Sequence, residues 1–329
     1  MMDTNSSITV NKAITNFITS VSLARSKHTT RTYQTAMNFY KQVLRNIGIK
    51  SEDFPISGLS EDTILAVIKA LQNHSPATES LYITAIHVFF EFLVAEKLAD
   101  INLSRIKMLI RQRSRRPGQR LPQFQREVID IMIGKASSPD EALPNDPVER
   151  LRFLRDRSFI LTLADTGLRV HEACNLLRGD IDWNEGKALI IGKGNRQAII
   201  RFSKRSIKAI RAYLTARADM DSKSGKLLSS LPVFARHDKG AGKKIKPITP
   251  TTGRNIIAAW LKEIKTEDDS GLVTPHSFRH YFVTKILKSS HNLKLAQELA
   301  RHKNIAVTQR YAHLSDDELD MGYLSAIEQ

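Results

Sequence analysis

One cysteine, Cys174, is all that this 329-residue chain holds. A single thiol builds neither a disulfide framework nor a cysteine-based zinc site, and such sparing use fits a reducing, cytoplasmic setting. The opening residues, Met1-Met2-Asp3-Thr4-Asn5-Ser6, lack the basic flank and apolar run of a secretory leader. No apolar run approaches the roughly 20 residues that cross a bilayer, and no membrane partner is expected. No internal repeat is present. Acidic residues are also scarce: 34 Asp and Glu face 50 Lys and Arg, a net charge of +16. That excess implies a polyanionic partner, most plausibly nucleic acid.

What is present is apolar residues at helical spacing. Val10, Ile14, Phe17 and Val21 form the first pattern. Tyr33, Met37, Tyr40 and Leu44 follow Thr29-Thr30, which can cap a helix. Ser60 precedes Ile64, Val67, Ile68 and Leu71, and Leu81, Ile86, Phe89, Phe90 and Leu93 form the fourth. Residues 1–102 therefore read as a small helical domain. From Leu103 to Gln125 there is no acidic residue, yet Arg105, Arg111, Arg113, Arg115, Arg116 and Arg120 are there with Pro117-Gly118. Residues 103–122 read as a basic linker able to track a phosphate backbone.

Residues 123–329 form a second domain, mainly helical with a small β element. Leu151, Leu154, Phe159, Ile160 and Leu163 mark a strongly apolar helix that stops at Thr166-Gly167, a glycine cap. Arg169 and Glu172, three apart just beyond it, would share a helix face; taken alone they are an ordinary ion pair. Ala188 to Ile191 and Ala198 to Ile200 flank Gly192-Lys193-Gly194-Asn195, a hairpin holding Lys193 at its turn. The glycine-rich stretch 237–246 carries Lys243 and Lys244 and is expected to touch phosphates. Thr274 and Pro275 start a helix that puts His276, Arg279 and His280 on one face at its positive end, a ready anion site. His276 and His280 are spaced for a metal, but Ser277 stands where a zinc helix has glutamate and Arg279 would repel a cation. No metal or other cofactor is expected.

Each element is weak alone; their order is not. Arg169 with Glu172, Lys193 in a glycine-rich hairpin, His276-x-x-Arg279, His302, and Tyr311 nine residues later resemble the tyrosine recombinase (phage integrase) family, most of all its simpler Xer-like or Cre-like members. The strings "TGLRVHEACNL", "HSFRH" and "RYAHL" carry the resemblance. It implies a helical core-binding domain and a mixed α+β catalytic domain forming a C-shaped clamp on double-stranded DNA. It also implies a homo-tetramer on two duplexes and a target site with an inverted repeat. Tyr311 would attack a backbone phosphorus, giving a 3′-phosphotyrosyl link that needs neither ATP nor metal. Arg169 and Arg279 would bind the non-bridging oxygens, joined by His302. His276 would take the tyrosine proton, Lys193 would protonate the leaving 5′-oxygen, and Glu172 would orient Arg169 or a histidine. His280 is expected to support the residues that touch the phosphate, or to be structural. The family usually has glycine just before the His302 position, where this chain has Arg301. That turn is expected to be distorted, or Arg301 to contact DNA. The rival readings are a DNA-binding protein of the same fold without catalysis, and a topoisomerase-like strand cleaver.

Overall fold

The computed structural model describes residues 8–115, 125–138, 143–192, 196–238, 240, 244–264 and 273–311. The chain is mainly α-helical with one small antiparallel sheet, and it divides into two compact units, Met1–Gln119 and Arg120–Gln329.

The first unit holds α1 (Val10–Ala24), α2 (Lys27–Asn46), α3 (Thr63–Leu71), α4 (Pro76–Ala95) and α5 (Leu103–Arg113). Four of these helices open on a capping side chain: Thr9, Ser26, Ser75 and Asn102 each accept the backbone N–H three residues on. Ser26, not the Thr29-Thr30 pair, therefore caps α2. The repeats at helical spacing converge on one core, with Phe17, Tyr40, Val67, Phe89 and Phe90 all but buried. The fourth pattern needs a correction. α4 is 20 residues long with mean hydropathy 1.3, enough by length and composition to cross a membrane, although no run of that size was expected. Its Ile83, Ile86, Phe89, Phe90 and Leu93 pack into the core of this unit.

The basic stretch is also corrected. Its first half is α5, and Ile106 and Leu109 bury against the same core. Arg115 is tied into this unit: its backbone N–H and Nε donate to Glu79, at 2.8 and 2.7 Å, and its Nη2 donates to the carbonyls of Leu71 and His74. Glu79 is 1% exposed, so Arg115 neutralises a carboxylate that this core could not otherwise hold.

The second unit is built on α7 (Pro147–Thr166). It packs against α6 (Arg126–Ser137), α9 (Lys204–Ala216) and α12 (Pro275–Ser290), and buried residues ring its C-terminal half. α8 (Val170–Cys174) follows α7 directly and meets α11 (Pro250–Ile264), where Gly253 gives the closeness. A Cβ there would lie 2.9 Å from both Phe159 and Val170. The sheet runs β1 (Ile181–Asp182), β2 (Lys187–Gly192), β3 (Arg196–Arg201), antiparallel throughout, with Lys187 opposite Arg201 and Gly192 opposite Arg196. Ala188, Ile190 and Ile200 face the core while Leu189, Ile191 and Ile199 face out, the alternation a one-sided sheet requires. Short α10 (Ala218–Ser222) continues α9. Finally α13 (Leu293–Ala300) packs beside α12 and α14 (Ile305–Gln309) against α13, and Val283 and Leu287 of α12 with Ala296 and Ala300 of α13 make a separate small cluster against which the Tyr311 ring lies.

Candidate active site

The site grows from the end of α7. Gly167 takes the left-handed conformation, φ +59°, and stops the helix. Leu168 is fully buried, and Arg169 leaves with extended backbone to begin α8. The first N–H groups of a helix have no partner within it, and here Glu172 supplies one. Its Oε2 accepts the Arg169 backbone N–H at 2.8 Å, and its Oε1 accepts Arg169 Nη1 at 2.9 Å. One carboxylate thus caps α8 and fixes the Arg169 side chain, which remains 40% exposed.

Arg279 lies in the first turns of α12, whose start is tied by the Thr274 N–H donating to Ser277 Oγ at 3.0 Å. It is 2% exposed. Its Nη1 donates to the Gly167 carbonyl at 2.6 Å and its Nη2 to the Ala300 carbonyl. Arg279 therefore joins the ends of α7 and α13. Burial, then the Arg169 and Arg301 charges, push its guanidinium down to about 9, still cationic at neutral pH.

Arg301 does adopt the left-handed conformation that glycine would take, φ +58° and ψ +43°. Its side chain folds inward, toward Glu172 and the end of α7. Nη2 pairs with Glu172 Oε2 at 3.2 Å and lies 3.4 Å from the Gly167 carbonyl. Burial works to raise the Glu172 carboxyl, but the Arg169 backbone N–H and the Arg301 and Arg169 charges outweigh it and hold the group below the usual range.

The turn after Arg301 is kept in shape. The His302 backbone N–H donates to the Gln297 carbonyl at 3.1 Å, and Gln297 Nε2 donates to the His302 carbonyl at 3.1 Å. His302 Nδ1 meets Thr308 Oγ1 at 2.9 Å. Thr308, fully buried on α14, sets the ring. One turn later the Tyr311 N–H donates to the Thr308 carbonyl at 3.0 Å. The Tyr311 hydroxyl meets His280 Nδ1, and the His276 ring lies edge-on to His280 with centroids 4.3 Å apart. The His302 and Tyr311 rings stack, with centroids 6.4 Å apart. Burial, then positive neighbours, push His280 and His302 down to about 4; burial and then Arg279 also lower His276. All three imidazoles are neutral at pH 7. Burial raises the Tyr311 hydroxyl more than Arg279 and Arg310 lower it, so ionising it requires a base.

The arrangement gathers a phenol, neutral imidazoles and clustered guanidiniums, suited to nucleophilic attack on an anionic phosphoryl group. The Phage integrase family pattern matches residues 146–318, more than half of the chain. The chain belongs to that family. Similarity to named tyrosine recombinases agrees. The chain is 25% identical over 303 residues to tyrosine recombinase XerC of Thermodesulfovibrio yellowstonii, covering 92% of this chain and 91% of that one. It is 26% identical to XerC of Bacillus subtilis, with 91% and 90% covered. Among solved structures, the Tn1549 transposon integrase in complex with transposon right end DNA shares the fold with a TM-score of 0.67 at 15% identity. That match covers 98% of this chain and 100% of the other. XerH bound to difH shares it with a TM-score of 0.64 at 17% identity, covering 99% and 86%.

In this tyrosine recombinase the structure brings together Arg169, Glu172, His276, Arg279, His280, His302 and Tyr311. Lys193 lies outside the described residues, as do Arg116, Arg120 and Lys243. Arg111, Arg113 and Lys244 are exposed. Among the described residues no group of three metal-ligating side chains occurs. Sequence reasoning missed three contributors. His280, expected only in a supporting or structural part, is the histidine whose Nδ1 meets the Tyr311 hydroxyl; its placement one helical turn after His276 was the available signal. Thr308, one turn before Tyr311, orients His302. The Gly167 carbonyl anchors two arginines, and no sequence pattern reports that.

Proposed function

We propose that this tyrosine recombinase carries out site-specific recombination of duplex DNA through a 3′-phosphotyrosyl intermediate on Tyr311. The observation that carries the reading is the convergence in one unit of Tyr311, its histidine partner and two buried or half-buried arginines held by Glu172 and the Gly167 carbonyl. The Tyr311 oxygen forms a bond to phosphorus as the bond from phosphorus to the 5′-oxygen breaks. The phenolic proton leaves to a base, and the 5′-oxygen gains one. The number of phosphate ester bonds is unchanged, so rejoining is the same step reversed and needs no external energy. Arg169 and Arg279 stabilise the charge growing on the non-bridging oxygens. Neutral His280, as the Nε2–H tautomer, accepts the proton at Nδ1, with His276 the next ring in line. Lys193 supplies the proton to the leaving oxygen. His302, set by Thr308, donates to the phosphate. The helical first unit, the exposed Arg111 and Arg113, and Lys244 bind the duplex backbone, in keeping with the +16 charge. The active assembly is a tetramer on two duplexes bearing an inverted-repeat site.

The test is trapping. On a nicked duplex carrying the sequence that the protein protects in a nuclease footprint, the wild-type protein should form a DNA adduct that survives SDS, and Tyr311→Phe should form none. A bound site with no adduct from wild type would leave only a DNA-binding protein of this fold.

A further inference from the structure

Among the described residues, three non-glycine residues hold positive φ: Lys97, His291 and Arg301. The first two are exposed helix ends. Arg301 differs, because its side chain is only 12% exposed and points into the site. A long side chain has been placed where glycine would be easier, and buried where it must be neutralised. Backbone strain kept at such a point is a reason to ask what the residue does.

Its partners answer part of the question. Nη2 is shared between Glu172 and the Gly167 carbonyl, the group that also holds Arg279. Nε and Nη1 are buried and meet no acceptor. A guanidinium used only to close an ion pair would be expected to spend its donors. Three guanidiniums, those of Arg169, Arg279 and Arg301, stand around one carboxylate, so two positive charges are left without a counter-charge. The mutual repulsion shows in Arg279, which both neighbours push down. A phosphodiester brings one negative charge, and the five-coordinate state formed when Tyr311 attacks carries two. With glycine at 301 the cluster would match the first; with arginine it matches the second.

We infer that Arg301 is a positioning residue of strand cleavage: it braces the Glu172 carboxylate that holds Arg169, and it adds a third positive charge that is balanced only as the attacked phosphate becomes doubly negative. This rests on the phosphoryl-transfer reading given above. Uniform binding of the ground state would not raise the cleavage rate, so the effect falls on the chemical step and little on affinity.

The experiment compares full-length wild type with Arg301→Gly on two nicked duplexes of the footprinted site. One has the ordinary scissile phosphate. The other has a methylphosphonate, which lacks one anionic oxygen and develops one charge fewer. On the phosphodiester, Arg301→Gly should bind within about threefold of wild type and form adduct about 100-fold more slowly, the low end of the range for loss of one transition-state charge partner. On the methylphosphonate, that deficit should shrink at least about tenfold. The glycine variant relieves the strained φ, and because the two rates are taken on one preparation, their ratio does not depend on the folded fraction. Equal deficits on both substrates, or no deficit on either, overturn the inference and leave Arg301 a brace for the turn. Absence of adduct from wild type defeats the phosphoryl-transfer reading instead.

Discussion

Replacing Glu172 with glutamine removes the one negative charge among Arg169, Arg279 and Arg301 while keeping shape and size. The structure sets the magnitude. Glu172 is 2% exposed at its side chain and Arg301 12%, whereas Arg169 is 40% exposed. The Arg169 pair is well screened and contributes about 1 kcal/mol or less. Stripping a buried charge of its partner costs about 3–5 kcal/mol. The Arg301 link therefore dominates, and the low end, about 3 kcal/mol, is expected because Arg301 keeps a long contact to the Gly167 carbonyl. For a unit spanning Arg120–Gln329, that is a fall in Tm of about 6–12 °C. Differential scanning calorimetry of wild type, Glu172→Gln, Arg301→Gly and the double variant measures it. Removing Arg301 removes the stranded charge, so the double variant should recover about 1–3 kcal/mol relative to additivity. A Glu172→Gln protein melting within about 2 °C of wild type, or strictly additive losses, would refute the view of Glu172 as the counter-charge of this cluster.

Gly167→Ala should destabilise by about 2–4 kcal/mol, measured by urea unfolding, because φ is +59° and a Cβ would lie 2.5 Å from the Phe282 ring. A loss under about 1 kcal/mol would mean that the turn and its carbonyl shift freely. His280→Gln should slow adduct formation about 100-fold and His276→Gln less, since His280 meets the Tyr311 hydroxyl; the reverse order would make His276 the base. Stability should also fall on acidification. His237, His280 and His302 sit at about 4, below their unfolded value of 6.5, so the unfolded chain takes up protons first as pH drops. The stability they confer is complete above about 6.5 and drains away toward 4. His237, 7% exposed and bonded to Tyr213, accounts for about 3 kcal/mol of that range, and His237→Gln should flatten the pH slope. A midpoint unchanged from pH 7 to 4.5 would contradict this.

Much of the site was legible because its parts are local strings. Gly167 stops α7 where Thr166-Gly167 said it would, and Thr274-Pro275 opens α12. The pairing of β2 and β3 follows from two short apolar runs flanking a glycine-containing stretch. What could not be read depends on pairs far apart in sequence. Arg115 looks like a free cation among other arginines until Glu79, 36 residues earlier, is placed beneath it. The same holds for α5, whose Ile106 and Leu109 are too few to signal a helix within a basic run but suffice once a core awaits them. Arg301 stood out as a departure, yet its direction was set by Glu172, 129 residues away. His276 and His280 share a helix face, and only the placement of α14 chooses which one the tyrosine meets.

The most direct test of the central claim is to identify the residue that carries the DNA. Trypsin cuts after Arg310 and releases residues 311–329, a peptide containing both Tyr311 and Tyr323. After nuclease trimming of the trapped adduct, fragment-ion mass spectrometry of that peptide should find the nucleotide on Tyr311, joined through its 3′-phosphate. Attachment at Tyr323, at a residue outside this peptide, or through a 5′-phosphate would contradict the account.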